Sequence, residues 1–164
     1  MKKLFTILLC VVSLQLYSQK SNKTIYEENF GSLDCKFDRV IDLSKSDTSY
    51  YIYCGFQNQK YSSITDLGSI FLTNQTDLLK TIEDLKECVK YMDDKSISYS
   101  IDSKRYVGTK SEEVKGRFYI YDFSKNLYIS DLSQLTEKYT TVNKKKLLKW
   151  IEWLEMIGND KLLR

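Results

Sequence analysis

Tyr51 and Tyr53 in one strand-like run, and Tyr119 and Tyr121 in another, are the residues of this 164-residue chain whose type and spacing best suit chemistry. That chemistry is recognition. A tyrosine ring offers apolar contact area while its hydroxyl stays hydrated. Successive strand residues point to opposite faces. If Ile52, Cys54 and Phe56 face a core in the first run, and Phe118 and Ile120 in the second, the four tyrosines emerge together on the far side. Arg117 shares that side and adds a charged donor. An exposed aromatic patch of this kind marks a binding surface for a protein or glycan. A wet sheet face lined by tyrosine, or one covered by a second layer, is the alternative.

Other chemistry is sparsely provided for. Histidine is absent, which excludes Ser-His-Asp and Cys-His catalysis and every metal site that needs an imidazole. The chain has no GxxxxGK[ST], GxGxxG, CxxC or HExxH string. Asp93-Asp94, near Ser96 and Ser98, lacks the glycine and terminal glutamate of a calcium loop. Among 22 acidic residues some pair can always meet in space, so a carboxylate-dependent hydrolase is the runner-up. No spacing singles out such a pair, and most of these acids fall in turns or on solvated faces. No cofactor and no metal are expected.

The first eighteen residues have the form of a secretory leader. Lys2 and Lys3 precede an apolar run, Leu4 to Leu16, and Tyr17-Ser18-Gln19 offers a small residue for cleavage after Ser18. The run is shorter than the about 20 apolar residues needed to span a bilayer. The expectation is an exported chain, periplasmic or extracellular, with no membrane insertion after cleavage. Removing two lysines lowers the formal charge from +3 to +1, which gives no electrostatic case for nucleic acid. Of the remaining cysteines, Cys35 and Cys54 sit in neighbouring predicted strands and are the favoured disulfide pair. Three small buried thiols, Cys88 included, are the alternative.

Positioning these residues falls to strands and two helices. Residues 19–34 read as a loose N-terminal arm with a short strand near Thr24–Phe30, and 35–164 as one domain. Strands are predicted from Cys35 to Leu43, with Phe37, Ile41 and Leu43 inward, then at Ser49–Phe56, Gly68–Thr73, Ile97–Ile101, Gly116–Phe123 and Leu127–Ser130. Leu78, Ile82, Leu85, Val89 and Met92 form a helical stripe, opened by Asn74 and Asp77 in the manner of a capping box. Its charges pair as Glu83–Lys86 and Glu87–Lys90. A last helix, Lys144–Ile157, turns Trp150 and its neighbours inward but begins with three lysines, against the macrodipole.

Leu78–Leu85 and Leu147–Leu154 agree at six of eight positions. Amphipathic helices converge on such strings easily, which is the favoured explanation; duplication of a strands-then-helix unit is the alternative. Both give the α+β class, an antiparallel sheet with two helices on one face. In outline, such a repeat with aromatic strand faces resembles the PUR and whirly nucleic-acid-binding folds. No motif carries that comparison, and export with near-zero charge opposes it. The function expected is a non-catalytic binding protein. A structural, envelope-associated accessory protein is a further alternative to the hydrolase.

Overall fold

The computed structural model describes residues 20–60, 66–92, 99–104, 115–120, 126–131 and 138–163, with backbone alone at 99–104 and at 115–120 apart from Phe118. The expected leader, 1–18, lies outside them. Four strands, β1 (Lys20–Asn29), β2 (Leu33–Asp42), β3 (Asp47–Gln57) and β4 (Leu67–Leu72), lead into helix α1 (Gln75–Tyr91). Four more, β5 (Tyr99–Lys104), β6 (Lys115–Ile120), β7 (Asn126–Asp131) and β8 (Lys138–Asn143), lead into α2 (Lys144–Asn159). Each set forms an antiparallel sheet whose spatial order follows the chain. The α+β class and the repeated strands-then-helix order are as expected. The strands divide into two four-stranded sheets where one sheet was foreseen, and the second unit holds one strand, β8, that the pattern did not suggest.

Two of the elements differ from expectation for local reasons. The N-terminal arm is strand β1, paired with β2 along its length except at a bulge where Ile25 is the extra residue. Ile25 is its one partly buried hydrophobe against the core, so polar KSNKTIYEEN carries almost no inward pattern to read. Leu43 lies in the turn beyond β2 and is exposed. Tyr121 falls outside the described residues.

Period-two alternation places Leu33, Cys35 and Phe37 of β2 inward beside Ile52, Cys54 and Phe56 of β3. Cys35 and Cys54 are directly opposed in register, with Cα atoms 4.0 Å apart, and are joined by a disulfide. Cys88 is a buried free cysteine.

Helix α1 starts where Asn74 accepts a bond from the Asp77 amide at 2.8 Å, as the capping pattern required. It buries Leu78, Ile82, Leu85 and Cys88. Its ion pairs are Lys80–Asp84, at 2.8 Å, and Lys86–Glu155 on α2, at 2.6 Å. These replace the expected Glu83–Lys86 and Glu87–Lys90 pairs, because Lys86 faces the second helix and Asp84 lies on the buried side.

Helix α2 is capped by Asn143, which accepts from the Lys146 amide at 3.0 Å and so offsets the adverse lysines. Both tryptophans point inward as expected. Trp153 meets Phe30 edge-on at 5.8 Å, and Trp150 meets Phe118 of the second sheet at 6.4 Å. Such pairs contribute about 0.5–1.5 kcal/mol beyond their burial. One hydrophobic cluster thus runs through both units.

The sheets also meet at their margins. Lys138, almost fully buried, bonds Asp66 and the Leu67 carbonyl, each at 2.7 Å. Asn58 donates to the same Asp66 carboxylate at 2.9 Å. Along β8, the Gln59 amide donates to the Tyr139 carbonyl, the Tyr139 amide to Asn58 Oδ1, and the Ser32 hydroxyl to the Thr141 carbonyl. No helix among the described residues is long and apolar enough to cross a membrane.

Candidate functional site

With Ile52 and Phe56 committed to the core, β3 turns Tyr51 and Tyr53 to the outer side of the first sheet, where both stay partly exposed. Phe71 of β4 stands opposite Tyr53 in register, and its ring approaches Tyr51 at 4.8 Å, tilted by 40°. Tyr53 lies back over Gly55. A Cβ there would sit 3.0 Å from the tyrosine ring, so the missing side chain makes room for the aromatic ledge.

Beneath the ledge sits Asp38, opposite Tyr51 in register and less than a tenth exposed. Its Oδ1 has no hydrogen-bond partner among the described residues. The Tyr51 hydroxyl accepts from Asn22 Nδ2 at 3.1 Å, and the Asp38 carboxylate lies close enough for its charge to act on the phenol. Burial, then the Asp38 charge, pushes the Tyr51 phenol above its ordinary range, so it remains a neutral donor at physiological pH. Lys36, across from Tyr53, is paired with Glu27 at 3.1 Å, and this hydrogen bond and charge raise its pKa. The arrangement offers two aromatic faces, a phenol and an unsatisfied carboxylate oxygen. It can stack on a ligand and accept hydrogen bonds from it. No group of acids and cysteines among the described residues has metal-binding geometry.

The sequence-predicted residues are only partly united. Tyr51 and Tyr53 share the first sheet, whereas Tyr119 and Arg117 belong to β6 of the second, opposite Tyr128 and Ser130 in register. The second sheet has its own pair, Tyr128 and Tyr139, with centroids 6.2 Å apart. Phe71, Asp38, Asn22, Tyr128 and Tyr139 were not singled out. Phe71 was legible, since it alternates with Ile70 and Leu72. Asp38 falls at an outward position of the predicted Cys35–Leu43 strand, where an acid reads as solvated. Tyr139 lies on β8, a strand that the pattern did not announce.

No family model, curated protein or solved structure matches the chain. Geometry therefore carries the functional reading.

Proposed function

We propose that the protein is an exported, non-catalytic binding module, periplasmic or extracellular, that recognises a protein or glycan ligand with the outer face of its first sheet. The observation that carries this reading is the Asp38 carboxylate oxygen, buried and without a hydrogen-bond partner among the described residues, beneath the half-exposed Tyr51–Phe71 pair. Buried polar atoms are ordinarily satisfied, because leaving one unmet costs about 1–3 kcal/mol. A ligand hydroxyl or amide donor that reaches Oδ1 while its apolar side rests on the rings would recover that loss. Tyr53 and Lys36 border the same surface and extend it.

Amide chemical-shift mapping on the exported protein tests the proposal, using panels of oligosaccharides and peptides. A ligand should shift residues of β2, β3 and β4, and Tyr51→Ala/Phe71→Ala should abolish binding while preserving the fold. Shifts confined to the helices, or undiminished affinity in the folded double variant, would remove the sheet face as the binding surface.

A further inference from the structure

The helix-facing side of the first sheet carries a separate feature. Where β2 turns into β3, beside the C-terminal end of α2, a cleft of about 610 Å³ opens between Arg39, Tyr50, Thr73 and Lys161. Clefts of this size hold small organic molecules. Arg39, Lys161 and Asp47 all line it, yet none of them is in an ion pair among the described residues. Arg39 Nε is buried without a hydrogen-bond partner among the described residues. Ser46, Thr48, Ser49 and Thr73 bring hydroxyls to the wall, and Tyr50, stacked on Phe37 at 5.9 Å, brings a ring.

The backbone singles out the same place. Ser46 (φ 51°) and Lys161 (φ 49°) are the non-glycine residues with left-handed backbone among those described, and both line this cleft. Lys161 directly follows the α2 C-cap, Asp160, a position that favours glycine. A lysine there works against the local conformation while adding its charge to the cleft. Non-glycine residues held in this region gather at functional sites.

We infer that the cleft binds an acidic sugar of the uronic-acid class. The Arg39 fork matches a carboxylate bidentately, and Lys161 adds a second positive charge. The hydroxyl residues and Asp47 meet the sugar hydroxyls, and the Tyr50 ring receives the apolar face of the pyranose. Asp47 accepts from a hydroxyl but repels a dianionic phosphate, which sets the carboxylate class apart from sugar phosphates. The site stands on residues other than those of the outer face, so the two proposals fail independently.

Titration calorimetry of the full exported protein with galacturonic acid, galactose and galactose 1-phosphate tests the inference. Galacturonic acid should bind, and galactose should bind at least about tenfold more weakly. Lys161→Gly should weaken uronate binding by about tenfold while the thermal midpoint holds or rises, because glycine suits the backbone there. Arg39→Lys, which keeps the charge but loses the fork, should weaken it by a similar factor. No heat with galacturonic acid, equal affinity for galactose, tighter binding of galactose 1-phosphate, or unchanged affinity in both variants would each overturn it.

Discussion

Reducing the Cys35–Cys54 disulfide isolates one covalent constraint without removing an atom from the core, and its effect can be worked out in advance. The bond joins residues 19 apart in sequence. Closing a loop of that length in the unfolded chain is worth about 3 kcal/mol on the chain-entropy model. The folded hairpin does not depend on the bond for its shape, because β2 and β3 pair in continuous register from Leu33–Phe56 to Asp42–Asp47. The reduced protein should therefore stay folded and be less stable. With a urea slope of about 2 kcal/mol per molar, the midpoint should fall by about 1.5 M, and the slope should rise slightly because the uncrosslinked unfolded state is more open. The assay is urea unfolding followed by tryptophan fluorescence, with and without reductant, after mass confirmation of the bond. Cys35→Ala/Cys54→Ala should fall at least as far, since it also empties volume at two positions that are 0% and 1% exposed. Equal midpoints with and without reductant would refute the reasoning and show that the hairpin remains closed in the unfolded ensemble.

Leu85→Ala should lose about 2–5 kcal/mol, because Leu85 is fully buried, whereas the exposed Glu83→Ala on the same helix should change stability by well under 1. A loss no larger than that of Glu83→Ala in denaturant melts would show that the stripe does not support the core. Gly68→Ala should destabilise by about 1–3 kcal/mol, since a Cβ at that position would come within 2.4 Å of the Phe56 ring; an unchanged melting point would contradict that packing. Hydrogen bonds from Asn58 and Lys138 hold the Asp66 pKa below its ordinary 3.8, so its contribution is complete above that pH and is lost as pH falls through the lower folded value. Asp66→Asn should accordingly flatten the acid limb of the stability profile below pH 3.8, and an unaltered limb would remove Asp66 from it. Mass spectrometry of exported protein should find Gln19 at the N-terminus; an intact Met1 in the soluble exported fraction would contradict the leader.

What could be read from the sequence followed the strength of its periodicity. The α1 stripe, its Asn74 cap, the inward tryptophans and the β3 alternation all carry strong apolar patterns, and the structure places them where those patterns point. β8 was missed, and β1 read only as a short strand within a loose arm, because KYTTVN and KSNKTIYEEN are mostly polar. Lys138 is buried against Asp66 and the Leu67 carbonyl of the first unit, which local alternation cannot show. The same limit applied to the candidate surface. Face assignment came from period two, so Tyr51 and Tyr53 were legible. The division into two sheets depends on contacts between distant segments, so the separation of Tyr119 from them was not. Asp38 looked like an ordinary solvated acid because nothing in its neighbours announces that Tyr51 will cover it.

The bonds along β8 have a consequence for how the chain avoids sticking to itself. An outer strand with unpaired amides and carbonyls invites pairing with another molecule. Here Ser32, Asn58 and Gln59, all from the first unit, occupy that margin of the second sheet. The Ser32–Thr141 bond spans 109 residues, so the second sheet is shielded only once the first unit is already in place. For a chain that emerges N-terminus first, the order of synthesis supplies that shield before the strand that needs it. A fragment holding the second unit alone would be born with its margin bare, which makes aggregation, more than loss of core, its expected fate.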